Sequence, residues 1–152
     1  MPFGTHISTR HPPGLDDEVF FDLLIPHVVI AEDDADLRQL LAAWLNRAGI
    51  HTTVVADGVE LSQLLGAYLA GGGAGFGIDA IISDVRMPGA TGLDALEALR
   101  KRDPSLPVLL ITAFDDEVTR REAARMGARV TTKPFAREEL LRELTALGVL
   151  ER

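Results

Sequence analysis

Polar side chains that could carry out phosphoryl transfer close four short strand-like runs of this chain. They are Glu32-Asp33-Asp34 after Ala31, Asp84 after Ser83, Thr112 after Ile111, and Lys133 after Thr132. In an open α/β sheet, ligands and chemistry gather where the parallel strands end. Phosphoryl transfer requires a nucleophile, a cation and donors to the phosphoryl oxygens, and these four pieces together supply such groups.

Asp84 is the candidate nucleophile of this set, because a carboxylate can accept a phosphoryl group as an acyl phosphate. The alternative is an aspartate that caps a turn or a helix, but Thr91 is the better N-cap for the helix that follows. A carboxylate repels an incoming phosphate, so the acids after the first strand are expected to hold Mg²⁺, which prefers oxygen ligands. A solvated acidic helix start without a metal is the alternative for that cluster.

The elements that must position these side chains alternate along the chain from His27 onward. The predicted strands cover about residues 28–31, 51–55, 79–83, 108–111 and 129–132. Apolar residues at helical spacing predict helices over about 34–48, 58–70, 91–102 and 115–126, and a last helix with Leu140, Leu141, Leu144 and Leu147. Five β-α units predict an α/β fold, a mostly parallel sheet with helices on both faces. The glycine-rich stretch 71–77 is expected to be a surface connection, since a phosphate-binding loop follows a strand and opens a helix.

The composition argues against several classes of function. No apolar run of the 152 residues approaches the roughly 20 residues that a membrane-spanning helix needs. The net charge of −8 argues against a nucleic-acid surface, and the basic clusters at 100–102 and 120–121 are expected to be solvated helix faces. The chain has no cysteine, which makes the cytoplasm the default location. The histidines at 6, 11, 27 and 51 lack metal-ligand spacing and are not expected to be ligands or phosphodonors.

Residues 1–26 are predicted to be an N-terminal extension of a domain that covers residues 27–152. After Pro12-Pro13-Gly14, an apolar stripe at helical spacing predicts an extra helix over about 15–24; it comprises Leu15, Val19, Phe20, Leu23 and Leu24. An isolated helix of this length is marginal in water. The stripe is therefore expected to pack on this domain or on a second copy of the chain, which leaves a homodimer open. Disorder before Pro12 is the alternative.

From about His27 to about Leu147 the chain resembles the receiver domain of two-component response regulators, including those of chemotaxis. The resemblance rests on the ordered set of polar positions, with Met87-Pro88-Gly89 after Asp84 and Lys133-Pro134-Phe135 near the end. It implies the flavodoxin-like strand order 2-1-3-4-5. In that order strands 1 and 3 are neighbours, which would bring Asp33 and Asp84 side by side.

The resemblance also implies a role for each residue of the site. Asp84 would be the phosphoacceptor, and Thr112 and Lys133 would bind phosphoryl oxygens. Mg²⁺, or Mn²⁺ as the alternative ion, would be held by Asp33, Asp84 and the backbone carbonyl of Arg86, with Glu32 acting through water. Three acids in a row leave the register open by one. The pair Glu32-Asp33 is chosen because Leu37-Arg38 then falls where the first helix of the family begins, and Asp34 becomes an N-cap.

Flanking positions of the family pattern are expected to modulate the site. A small Ala113 would leave room for the phosphodonor, while Arg86 and Phe114 occupy positions that tune hydrolysis of the acyl phosphate. Family members commonly carry Tyr or Phe three residues before the lysine, where this chain has Val130. The usual aromatic switch therefore cannot operate here. The peptide bond before Pro134 is expected to be cis.

The function implied is that of a receiver that takes phosphate from a histidine kinase or a histidine phosphotransfer protein and signals to a downstream protein. It would catalyse only its own phosphorylation and dephosphorylation, and no direct contact with nucleic acid or a membrane is expected. Nothing follows the fifth helix except residues 148–152, which fits either a stand-alone receiver or a piece of a longer protein. One alternative is a degenerate receiver that only binds proteins. The other is a phosphatase of the haloacid-dehalogenase type using Asp34-Ala35-Asp36, although Leu37 stands where that motif has Thr or Val.

Overall fold

The computed structural model describes residues 14, 16, 25–71, 77–87 and 92–150. Its strands are β1 His27–Ala31, β2 His51–Val55, β3 Ala80–Asp84, β4 Val108–Thr112 and β5 Arg129–Thr132. Its helices are α1 Ala35–Arg47, α2 Gly58–Leu69, α3 Gly92–Arg100, α4 Glu117–Arg125 and α5 Arg137–Ala146. All strand pairs are parallel and the order is β2-β1-β3-β4-β5, which confirms the predicted fold class and strand order.

The core lies on both faces of the sheet, because the three central strands are covered on each side. Alternate residues of these strands face opposite layers: Val28, Ile30, Ile82 and Ile111 face one, and Val29, Ile81 and Leu110 face the other. Helices α1 and α5 close the first layer and α2, α3 and α4 the second. Burial on both faces explains why these strands read as continuous apolar runs rather than as alternating ones.

Asp84 and Thr112 are the last residues of β3 and β4, one residue beyond the predicted strand ends. Their backbones are still paired across the sheet, Asp84 with Ile111 and Thr112 with Thr132. Both side chains therefore start from rigid, paired backbone rather than from a loop. This matters for the site, because strand ends position functional groups more accurately than loops do.

Local signals in the sequence explain several helix ends. The carboxylate of Asp34 accepts the N–H groups of Asp36 and Leu37, which confirms Asp34 as the N-cap of α1. Gly49 follows α1 with a φ of 85°, a left-handed conformation that glycine adopts without steric strain. Thr91, the predicted N-cap of α3, lies outside the described residues.

The predicted extension helix over about 15–24, apart from Asp16, also lies outside the described residues, as do residues 72–76 of the glycine-rich stretch. The division at residues 26 and 27 therefore remains a prediction. In the part of the chain that is described, no helix combines the length and the apolar character needed to cross a membrane.

Candidate functional site

The carboxyl edge of the sheet brings the four predicted pieces together. Ala31 is paired with Ser83, so Glu32, which follows β1, and Asp84, the last residue of β3, lie at the same level of the sheet. Thr112 is paired with Thr132, which places Lys133 one residue beyond Thr112. The residues are far apart in sequence, and only the parallel in-register pairing makes them neighbours.

The ammonium of Lys133 lies between two carboxylates. Its Nζ donates to Asp84 Oδ2 at 2.7 Å and lies 3.0 Å from Glu32 Oε1. Burial by itself would lower the pKa of Lys133, but the contacts with Asp84 and Glu32 outweigh it and the pKa is raised. Lys133 is therefore a fixed positive charge at neutral pH, with the acidic partners that an ammonium directed into the sheet edge requires.

Glu32 is a fully buried acid, with no exposed side-chain surface. Its Oε2 accepts the N–H of Asp34 at 2.9 Å. Its Oε1 accepts no hydrogen bond of acceptable geometry, so its 3.0 Å contact with Lys133 is ionic rather than directed. Burial raises the pKa of Glu32, and the Asp34 N–H and Lys133 offset part of that rise. A buried carboxylate oxygen, Oε1, is thus turned toward Lys133 and the other acids of this cluster.

Asp84 is almost buried, and both of its carboxylate oxygens have partners. Oδ1 accepts the backbone N–H of Arg86 at 3.1 Å, while Oδ2 accepts from Lys133. The Ser83 hydroxyl donates to the Asp84 carbonyl oxygen at 2.9 Å, and Val85 N–H donates to Ile111 O at 3.0 Å. The carboxylate is therefore held in one orientation at the end of β3.

Glu32, Asp33 and Asp84 form an acidic triad in which one carboxylate oxygen of each lies within 4.8 Å of the others. Asp33 is the exposed member. Asp34 does not join them, because its carboxylate caps α1. Three carboxylates with an unsatisfied buried oxygen form a donor set that suits a hard divalent cation such as Mg²⁺ or Mn²⁺.

Thr112 and Phe114 form the rim of the site on the β4 side. The buried Thr112 hydroxyl accepts the N–H of Phe114 at 3.0 Å and donates to its carbonyl oxygen at 3.2 Å. The ring of Phe114 is exposed, and the guanidinium of Arg86 stacks over it at 4.8 Å from the ring centre. Ala113 between them is also exposed. The structure thus groups all the predicted flanking positions except Val130 around the mouth of the triad.

Val130 is a residue of β5 and does not lie at the mouth of the triad. It is half-buried and packs against the core layer closed by α2, α3 and α4. The Lys133–Pro134 peptide bond is cis, as predicted. His27 and His51 are the first residues of β1 and β2, at the amino edge of the sheet, opposite the triad. His27 and His51 are therefore placed away from the triad, while His6 and His11 lie outside the described residues.

Two contacts of the site were not expected from the sequence. Arg38 in α1 donates to the carbonyl oxygen of Glu32 at 2.8 Å, which fixes the backbone turn that carries the acids. The stacking of Arg86 on Phe114 joins residues from two different strand ends. A basic residue one turn into the helix after the acidic run is the only signal that could have indicated the first contact. No sequence pattern indicates the second.

The chain is similar in sequence to a family of signalling domains and to bacterial regulatory proteins. A family model described as the response regulator receiver domain matches residues 28–145. The sensory transduction protein RegX3 of Mycobacterium tuberculosis is 34% identical over 121 residues, which are 79% of this chain and 49% of RegX3. The C4-dicarboxylate transport transcriptional regulatory protein DctD of Pseudomonas aeruginosa is 34% identical over 115 residues, 75% of this chain and 23% of DctD. The chain thus spans about half the length of RegX3 and less than a quarter of the length of DctD.

Two solved structures of response regulators are similar to this chain in both fold and sequence. The receiver domain of the Francisella response regulator 1452 has a TM-score of 0.69 and 31% identity, over 80% of this chain and 95% of that one. The chemotaxis protein CheY4 of Vibrio cholerae has a TM-score of 0.66 and 32% identity, over 83% of this chain and 99% of that one.

Proposed function

This chain belongs to the family of response regulator receiver domains of two-component signal transduction, and we propose that it accepts a phosphoryl group on Asp84 and signals that change to a downstream protein. The donor would be a phosphohistidine of a histidine kinase or of a histidine phosphotransfer protein. An oxygen of Asp84 attacks the phosphorus, the P–N bond to the imidazole breaks, and the histidine leaves with the electron pair of that bond. The product is an acyl phosphate.

The observation that carries the proposal is the environment of the Asp84 carboxylate. It is oriented by the ammonium of Lys133 at 2.7 Å and by the N–H of Arg86 at 3.1 Å, with two further acids beside it. Lys133 would remain on a phosphoryl oxygen, and the hydroxyl of Thr112 would donate to another. Lys133 and the N–H of Arg86 are already in place where negative charge develops, and such donors lower the barrier without reorganisation, whereas the Thr112 hydroxyl has to turn away from Phe114 first.

We propose that Mg²⁺ is held by Asp33, Asp84 and the backbone carbonyl of Arg86, with Glu32 acting through water. The unsatisfied buried Oε1 of Glu32 and the three carboxylates support this ligand set. The ion, when bound, supplies positive charge between the carboxylates and the phosphoryl oxygens. Mn²⁺ accepts the same ligands and would replace it in vitro.

The residues at the mouth of the site are proposed to set access to it. Ala113 is small, so it leaves room for the donor. The Phe114 side chain is bulky and exposed beside the acids, and it would shield the acyl phosphate from water, which would slow its hydrolysis. Arg86 is the other position expected to tune hydrolysis.

Incubation of the chain with Mg²⁺ and phosphoramidate, followed by mass spectrometry and mapping of the labelled residue, tests the proposal. Asp84→Asn is nearly isosteric and should abolish the label. Asp34→Asn is the matched control, because Asn is as good an N-cap as Asp and the helix should be unaffected. A label that persists in Asp84→Asn, or is lost in Asp34→Asn, would contradict the assignment; the second result would favour the haloacid-dehalogenase mechanism. No label in the wild-type chain would indicate a degenerate receiver.

The partners and the location are proposals of the same kind. The net charge of −8 favours a protein rather than nucleic acid as the direct partner of this domain. Relatives such as DctD are named transcriptional regulators, but this chain matches less than a quarter of DctD, 23% of its length. A cytoplasmic receiver that meets its kinase there is the simplest arrangement for a chain without cysteine.

A further inference from the structure

Phe114 is held by two independent contacts, one with Thr112 and one with Arg86. The Thr112 hydroxyl binds the backbone of Phe114 through its N–H at 3.0 Å and its carbonyl oxygen at 3.2 Å. The guanidinium of Arg86 lies 4.8 Å from the centre of the Phe114 ring. Arg86 in turn donates its own N–H to Asp84 Oδ1 at 3.1 Å. Phe114, a residue that is 53% exposed, is thus held through its backbone by Thr112 and through its ring face by Arg86, which itself contacts Asp84.

Val130 occupies the position at which receivers commonly have an aromatic side chain that responds to phosphorylation, and valine cannot respond in that way. Val130 is half-buried and packs on the core, next to Leu110 of β4. A branched aliphatic side chain in that place has no ring to turn and no polar group to redirect. Phe114 is the aromatic residue that the described part of the chain connects to Thr112.

We infer that Phe114 and Arg86 form a latch that opens when Asp84 is phosphorylated. The inference rests on the proposed function. An acyl phosphate brings roughly two negative charges to a point beside the backbone of Arg86. Hydrogen bonds from a hydroxyl or a guanidinium to such an anion are stronger than bonds to a neutral carbonyl or an exposed cation–π contact. The Thr112 hydroxyl therefore turns to the phosphoryl group and releases the backbone of Phe114, and Arg86 leaves the ring.

The signal then leaves the domain at the start of α4. Val118, 70% exposed, lies four residues after Phe114, in the first turn of α4. Asp116 caps α4 through the N–H of Thr119 and keeps the helix itself in place. The change is therefore confined to about residues 113–118, where the released ring and Val118 together alter the apolar surface.

NMR spectra of the full chain with selectively labelled phenylalanine test the latch before and after addition of Mg²⁺ and beryllofluoride, a mimic of the acyl phosphate. The chain has six phenylalanines, and Phe114→Leu identifies the signals of Phe114. We expect both its amide and its ring signals to shift on loading. In Arg86→Gln the ring signals should already lie near their loaded positions, while the amide should still respond through Thr112. Arg121→Gln, which removes another exposed guanidinium from α4, should leave both responses as in the wild type.

The outcomes separate this inference from the function on which it rests. If the Asp84 amide of a uniformly ¹⁵N-labelled sample responds to loading while the Phe114 signals do not move, the latch is refuted and phosphorylation of Asp84 stands. Ring signals in Arg86→Gln that match those of the unloaded wild type would show that Arg86 does not hold the ring, and would also refute the latch. If neither beryllofluoride nor phosphoramidate affects Asp84, the latch and the proposed function fall together.

Discussion

Replacing Asp33 by Asn should stabilise the metal-free protein, because Asp33 is a negative charge placed against two others. Its carboxylate lies within 4.8 Å of those of Glu32 and Asp84, and at an effective dielectric constant of about 20 each such pair repels by about 3.5 kcal/mol. Lys133 contacts the other two acids but not Asp33. Since Asp33 is exposed, solvent and salt reduce each repulsion to about 0.5–1 kcal/mol.

The expected gain from Asp33→Asn is therefore about 1–2 kcal/mol for the two pairs, or about 2–8 °C in the melting temperature of a domain of this size. With Mg²⁺ present, the wild type should become more stable than Asp33→Asn. A ligand at about 100 times its Kd adds about 2.7 kcal/mol to the stability of the protein that binds it. The wild type should gain this increment, and Asp33→Asn, which lacks a charged ligand, should gain much less.

Thermal unfolding followed by circular dichroism, at low ionic strength with EDTA or with Mg²⁺, measures both effects. Asp36→Asn is the matched control, because Asp36 is an exposed acid in the first turn of α1. Its negative charge stabilises the N-terminus of the helix. Asp36→Asn should therefore lose about 0.3–1 kcal/mol of stability and melt at a slightly lower temperature than the wild type. If Asp33→Asn melts below the wild type in EDTA, the carboxylate is structural and the electrostatic reasoning is refuted.

Three further predictions concern other parts of the chain. Burial raises the pKa of Glu32 above its ordinary value of 4.5, so the stability that protonated Glu32 provides at low pH is lost as the pH rises through the folded-state pKa. In EDTA, Glu32→Gln should therefore be more stable than the wild type by the largest amount at neutral pH, and the difference should vanish below pH 4.5. A stability difference that does not depend on pH would contradict this. Because Val130 replaces an aromatic residue, amide shifts on beryllofluoride loading should be small over most of residues 115–147, and large shifts throughout that range would refute the prediction. Removal of residues 1–24 should lower the melting temperature or dissociate a dimer, since five large apolar side chains buried at about 1.5–3 kcal/mol each could offset the ordering of the segment; a truncated chain that matches the full chain in melting and in sedimentation would show that the segment is only a tail.

The fold class and the strand ends that carry the acidic site can be predicted from the amino-acid sequence alone. The apolar runs before Glu32, Asp84 and Thr112 are buried on both faces, and hydrophobic periodicity reports such burial directly. Capping is equally local, because Asp34 bonds to N–H groups only two and three residues away. Contacts of this range depend on the composition of one short segment, so one sequence is enough to predict them.

The pairing of the polar groups in the site depends on the assembled sheet. Lys133 and Asp84 are 49 residues apart, and their contact exists because parallel pairing aligns the ends of β1, β3, β4 and β5. The same alignment places Lys133 between two carboxylates rather than on one, and leaves Oε1 of Glu32 without a hydrogen bond. A sequence names the donors and acceptors, but strand register and side-chain rotamers choose the partners.

The rim of the site shows the same limit most clearly. Arg86 and Phe114 were both expected to modulate the site, yet nothing in the sequence predicts that a guanidinium from the end of β3 stacks on a ring that follows β4. Nor does it predict that the Thr112 hydroxyl is bound to the backbone of Phe114 instead of pointing freely into the site. These contacts depend on how the neighbouring strands place Arg86 and Phe114, and so they arise only when the sheet is assembled.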